Sequence, residues 1–184
     1  MRTEFKRTTR LPADPQLILA NPKDPTHSDA WDMIYREKKV TPFVFLPRDT
    51  PRQEMEIIYK KYLANERAFF FFYIDENKKI VSTCRMTLLP GNRNHVVAIN
   101  AIATDPARQG KGFATKMLQA GMTFMAQEYD IEEFELSYEP DNPAGWRLYE
   151  KLFGFKTIVT INNQWPREIE FIQKFHWPAT VRCA

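Results

Sequence analysis

The sequence predicts a mixed α/β layer fold, and three observations carry that expectation. The run Ala68–Ile74 is continuously apolar and aromatic, as a strand buried on both faces requires. From Phe113 to Gln127, apolar residues recur at helical spacing, at Phe113, Met117, Gly121, Phe124 and Met125. Around these two segments the hydrophobic period switches between that of strands and that of helices. The resulting order is strand, two helices, three strands, helix, strand, helix, two strands. With 184 residues and no internal repeat, positions 1–184 are expected to form one domain.

The opening stretch is punctuated by Pro12, Pro15, Pro22, Pro25, Pro42, Pro47 and Pro51. A short strand at 17–20 precedes a helix over 28–38, where Trp31, Ile34 and Tyr35 share a face. Arg52–Leu63 repeats that period with Met55, Ile58, Tyr59 and Tyr62. After the strand Ala68–Ile74, Asp75-Glu76-Asn77-Lys78 is turn chemistry and 79–88 is the return strand. Pro90-Gly91-Asn92 breaks the chain, and 95–104 is a further strand with Val96, Val97, Ile99 and Ile102. Beyond the helix at 113 comes a short strand at 134–138. Asp141-Asn142-Pro143 starts a helix, with a cap residue and then proline at the first helical position. It runs to about Leu152 and stops near Gly154, after which 155–161 and 167–175 alternate as strands.

Composition removes several function classes. Six glycines in 184 residues is less than half the usual ~7%, which excludes collagenous and flexible-linker chains. A 43% hydrophobic content is ample for a core at this length. Lys+Arg 26 against Asp+Glu 23 leaves +3, too mild a balance to indicate nucleic acid. Arg2, Lys6, Arg7 and Arg10 read as a solvated edge. Cys84 and Cys183 stand in no CxxC or metal spacing, as in a reduced intracellular chain. His27, His95 and His176 have no ligand spacing, so no metal is expected. Met1 leads into charged residues rather than an apolar signal, and Ala68–Ile74 is too short to span a membrane. The expectation is a soluble, cytoplasmic protein without a membrane partner, and nothing in the charge balance indicates nucleic acid.

One helix start breaks the usual rule. Helices begin with a polar cap and then acidic residues that complement the positive dipole end. The helix at Asn142 obeys, but the other entry reads Arg108-Gln109-Gly110-Lys111-Gly112-Phe113-Ala114-Thr115-Lys116. No carboxylate occurs between Asp105 and Glu128. Each cation there costs roughly 0.3–1 kcal/mol at low salt, and a bound anion would reverse the sign. Two closely spaced glycines let several N–H groups converge on one phosphate. The bland alternative is a surface helix with solvated cations; the order strand, Gly-rich turn, amphipathic helix favours the anion. A P-loop is absent, because Lys111 is followed by Gly112 and Asp105 stands five before Gly110. A dinucleotide fingerprint lacks its third glycine, Thr115 standing there, although Glu132 lies where a ribose-binding acid would sit. An NAD(P)-binding protein is therefore the weaker reading.

Gln109, Gly112 and Ala114 match the pattern Gln/Arg-x-x-Gly-x-Gly/Ala at a strand-to-helix junction. In this the chain resembles the GNAT N-acetyltransferase superfamily, whose acetyl-CoA signature it is. The approach Ile102-Ala103-Thr104-Asp105-Pro106 is similar to that family's strand end. Downstream, Asn142-Pro143-Ala144, Leu148-Tyr149-Glu150-Lys151-Leu152 and Gly154-Phe155 resemble its second motif. The close likeness covers about 96–156, the expected cofactor half. It implies a central mixed sheet of about seven strands flanked by about four helices.

The resemblance also implies roles. The fourth and fifth strands would splay apart to admit the pantetheine arm, with the segment Ile102, Ala103 and Thr104 pairing to its amides through Ile102 and Thr104. The N–H groups of Gln109, Gly110, Lys111, Gly112, Phe113 and Ala114, with Thr115 next in the turn, would hold the pyrophosphate. Arg108, Lys111 and Lys116 would balance its charge, and Asn142 would bond the pantetheine near the sulfur. Tyr149 would contact the cofactor thiol and act as general acid, a phenol of pKa ~10 being protonated at neutral pH. The competing reading of Tyr149 is packing, with Trp146 and Phe153 on the same helical face.

The implied activity is transfer of the acetyl group of acetyl-CoA to the primary amine of a small molecule or peptide, without a metal. Edge strands in that family often pair, which makes a homodimer one expectation. The rival of another class is a non-catalytic acyl-CoA-binding module. Two departures bear on this. Asn100 stands where many relatives carry a glutamate base, leaving water, His95, Glu135 or no base at all. Phe153 is an extra residue before Gly154, expected to shift the helix end by about one position.

Overall fold

The computed structural model describes residues 8, 10–21, 23–37, 50–138, 142–160 and 170–176. Arg2, Lys6, Arg7, Asp141 and Cys183, all considered above, lie outside these residues. The strands are β1 (Leu17–Leu19), β2 (Ala68–Ile74), β3 (Ile80–Leu88), β4 (Val96–Thr104), β5 (Glu133–Tyr138), β6 (Lys156–Thr160) and β7 (Glu170–His176). The helices are α1 (Pro25–Arg36), α2 (Arg52–Leu63), α3 (Phe113–Glu128) and α4 (Pro143–Trp146). One sheet joins the strands in the order β1-β2-β3-β4-β5-β7-β6, and within it only β4 and β5 run parallel. This is the mixed sheet expected, and it lacks the successive parallel crossovers of a dinucleotide-binding fold.

β2 lies at the centre of the packing, and its residues divide by parity, as the period of a strand dictates. Phe69, Phe71 and Tyr73 join a core with Met117, Leu118 and Met122 of α3. Phe70 and Phe72 join a second core with Trp31, Ile34 and Tyr35 of α1 and Met55 and Tyr59 of α2. All seven β2 residues are buried, which is why this strand reads as an unbroken apolar run rather than as an alternation.

β4 carries an irregularity that decides the site. In its pairing with β3, Arg85 stands opposite Asn100 but Thr83 stands opposite Ala103, so β4 has one residue more than its partner. That bulge falls at Ala101, whose φ of 53° lies in the left-handed region. The extra residue inverts the faces. Val97 and Ile99 point into the α3 core, whereas beyond the bulge Ile102 does so and Ala103 joins the α1–α2 core.

The extra residue Phe153 is taken up inside the helix rather than at its end. After one α turn, Arg147–Leu152 widens into a π-helical turn. The segment then closes at Gly154, with φ of 73°, where the Gly154 N–H donates to the Glu150 carbonyl at 3.1 Å. The widening also separates the aromatic residues: Tyr149 is buried in the α3 core, while Trp146 is exposed.

Candidate active site

The parallel pairing of β4 and β5 covers only Val96–Ile99 against Glu133–Leu136. Both strands continue, β4 to Thr104 and β5 to Tyr138, so an unpaired gap opens between their C-terminal ends. Which peptide groups line it follows from the bulge. The Leu89 N–H donates to Val96 and the Asp105 N–H to Val81, so both ends of β4 address β3 at these positions. Counting by twos from Asp105 turns Ala103 toward β3 and leaves the peptide groups of Ile102 and Thr104 on the open edge. An unbulged strand would have presented Ala101 and Ala103 instead. The Gln109 side chain reaches back to the Thr104 carbonyl at 3.3 Å, on that same edge.

A short turn, Pro106–Arg108, then delivers the chain to α3. Gly110 and Gly112 have φ of 75° and 78°, and no atom lies within 4 Å of where a Cβ would stand on either. These glycines serve the backbone turn rather than close packing. Gly112 caps α3 without a side-chain bond, and the first intrahelical donor is Lys116, to the Gly112 carbonyl at 3.0 Å. The N–H groups of Gly112, Phe113, Ala114 and Thr115 therefore precede the helical ladder, beside the exposed Lys111 and Lys116. Arg108 does not share in this. Its Nη2 lies 3.0 Å from Oδ2 of the buried Asp75, which also accepts from the N–H groups of Asn77 and Lys79. Burial works to raise this carboxyl, but the two N–H donors and Arg108 hold it below the ordinary range.

Tyr149 stands on the β5 side of the gap. Its ring lies 5.4 Å from that of Tyr138, the last residue of β5, and 6.4 Å from that of Phe155. Burial pushes the Tyr149 phenol well above its ordinary value, and the same core raises the thiol of Cys84. No described side chain bonds the Tyr149 hydroxyl, whereas Tyr138 donates to Glu150 Oε1 at 3.0 Å. Burial and this bond push the Tyr138 pKa up to about 12. Asn142 caps α4, its Oδ1 accepting from the Gly145 N–H at 2.9 Å, so only its Nδ2 is left for a ligand.

These strands, turn and helix form a cleft walled by peptide groups, ending at an uncapped helix start. The sequence matches the Acetyltransferase (GNAT) family over residues 31–155. The chain belongs to the GNAT acetyltransferase family. Its fold is similar to that of a GCN5-related N-acetyltransferase from Brucella melitensis, with a TM-score of 0.76, 16% identity, and coverage of 96% of this chain and 84% of that one. A spermidine N-acetyltransferase chimera from Vibrio cholerae and hSSAT gives a TM-score of 0.72 at 16% identity, covering 88% of this chain and 95% of that one. A ribosomal L7/L12 α-N-protein acetyltransferase in complex with coenzyme A gives 0.72 at 17% identity, covering 90% and 96%. No curated protein matches the sequence.

Within this GNAT fold the base candidates named from sequence separate. His95 lies 4.0 Å from Glu132 at the start of β4, the end remote from the gap. Glu135 is nearer, on the face opposite the α3 core, but its carboxylate is held by Arg93. The Asn100 Oδ1 accepts from Arg85 Nη2 at 3.2 Å. Arg85 was not singled out for function from sequence. The readable signal for Arg85 was a lone cation inside a strand that is otherwise apolar or small and polar. Among the described residues no group of three metal-ligating side chains occurs, and no helix is long and apolar enough to cross a membrane.

Proposed function

We propose that this chain is an acetyl-CoA-dependent N-acetyltransferase that acts on a primary amine, working as one domain over 1–184. The observation that carries the reading is the parting of β4 and β5, which runs directly to the uncapped start of α3. Acetyl-CoA supplies the activated acetyl thioester. The open-edge peptide groups of Ile102 and Thr104 bind the pantetheine as an added strand would. The N–H groups from Gln109 to Thr115 hold the pyrophosphate, with Lys111 and Lys116 balancing its charge. Asn142 Nδ2 donates to the arm near the sulfur.

The amine attacks the thioester carbonyl directly, and an open-edge N–H of β4 steadies the oxyanion. Tyr149 delivers the proton to the departing sulfur. Burial raises this phenol, so it carries the proton the step needs at neutral pH. With an amide at Asn100, the amine arrives neutral or loses its proton to water. A small-molecule or peptide acceptor, a cytoplasmic setting and pairing of edge strands into a homodimer complete the proposal.

The test is thiol release from acetyl-CoA against a panel of primary amines, with Tyr149→Phe alongside the natural chain. Turnover that falls by about 10²-fold or more in the variant, with unchanged thermal stability, is the expected result. Binding of acetyl-CoA without turnover on any amine would instead indicate the non-catalytic acyl-CoA-binding module, which Asn100 favours.

A further inference from the structure

Among the described residues, Arg85 is a half-buried cation with no acid partner. It lies on β3 between Cys84 and Met86, both of which point into the α3 core, so its own side chain emerges on the α1–α2 face. There its guanidinium lies 4.2 Å above the Tyr62 ring and donates through Nη2 to the amide oxygen of Asn100. Its Nε is shut off from solvent and has no acceptor among the described residues. Glu135, on the same face of β5, is held by Arg93 instead. An aromatic face and a neutral amide offer a guanidinium no countercharge, in surroundings where an uncompensated charge is costly.

This face is also where an acceptor enters, given the function proposed above. The α3 side of the gap is filled by Tyr138, Tyr149 and Phe155. On the other side, Asn100 is half-buried and Ser137, near the end of β5, is exposed. Arg85 and Asn100 face each other in register one residue before the bulge that opens the cleft.

We infer that Arg85 is the recognition site for an anionic group of the acceptor, and that the acceptor is a small amine bearing a carboxylate. The planar guanidinium fork matches a carboxylate, and the pairing would supply the missing countercharge. The inference rests on the acetyltransferase reading only for where the acceptor lies.

The test is calorimetric titration of the chain loaded with coenzyme A, using probe pairs that differ only by the carboxylate. Lysine is compared with cadaverine, phenylalanine with phenethylamine, and glycine with methylamine. In at least one pair the carboxylate member should bind about tenfold or more tightly than its partner. Arg85→Met and Asn100→Asp should each abolish that preference while leaving the affinity for coenzyme A unchanged. Asn100→Asp supplies the missing acid at almost the same volume, so the test survives if Arg85→Met does not fold. No carboxylate preference in any pair, or one that persists in both variants, overturns the inference. Thiol release is measured in parallel. Its absence with every amine defeats the acetyltransferase reading, while the binding preference still decides the role of Arg85.

Discussion

The Tyr35 hydroxyl of α1 donates to the Ala101 carbonyl of β4 at 2.5 Å, and so a helix of one layer holds the bulge of the sheet beside it. The bond reaches across 66 positions of sequence. It satisfies a carbonyl that the bulge takes out of the regular ladder, at the residue where left-handed backbone is unfavourable for alanine.

Tyr35→Phe keeps the aromatic packing against Trp31 but removes this donor. The orphaned carbonyl should cost about 1–3 kcal/mol, read as a lower urea midpoint. Because the bulge sets which peptide groups face the gap, affinity for acetyl-CoA should fall in the same variant. Unchanged affinity in a destabilised variant would show that the bulge does not need Tyr35.

Gly112→Ala should weaken acetyl-CoA binding without a clash, since nothing lies within 4 Å of the added Cβ. The cost is backbone strain at φ of 78°, roughly 1–2 kcal/mol. It should appear as about a tenfold or larger rise in the Kd measured by calorimetry. Gly121→Ala is the contrast. Its Cβ would meet Met86 Cε, the movable end of a core side chain, at 2.8 Å, so any change should appear in the Tm and leave that Kd alone.

Two cations near the start of α3 should behave differently. Lys111→Gln removes an exposed charge beside the helix start, so it should weaken acetyl-CoA binding most at low salt. Arg108→Gln removes the partner of Asp75, so it should lower thermal stability and change that affinity little. Equal losses of affinity in both would mean that Arg108 leaves Asp75 when the cofactor binds.

Alkaline pH should unfold the chain through its buried phenols. Burial raises Tyr35, Tyr59, Tyr138 and Tyr149 above their unfolded values, as it does Cys84. The folded state thus keeps protons that the unfolded state releases. This contribution is complete below the unfolded phenol value of ~10 and declines as pH rises through it toward the Tyr138 value of about 12. Denaturant midpoints measured between neutral pH and the alkaline limit should be flat at first and then fall.

The elements legible in the sequence were those whose burial repeats with a local period. Ala68–Ile74, Arg52–Leu63 and the start of α3 at Phe113 lie where their patterns indicate. The helix over 28–38 instead begins at Pro25, because Asp24 caps it through the Thr26 N–H at 2.9 Å and proline tolerates the first turn. The turn at Gly110 and Gly112 was legible for another reason, since glycine spacing and missing acids are properties of a single short segment.

The sequence by itself therefore determined the layers and the uncapped, acid-free start of α3. Tertiary structure decided the rest. Whether Ile102 or Ala101 faces the gap depends on one extra residue in β4, relative to a strand fifteen or so positions earlier. The fold pairs Arg108, one of the cations at the entry to α3, with Asp75, and sets Arg85, a strand cation, opposite Asn100. Charge and backbone direction are long-range properties of a packed chain, because a side chain's partner is whatever the other strands bring within reach. Local periodicity carries no record of that.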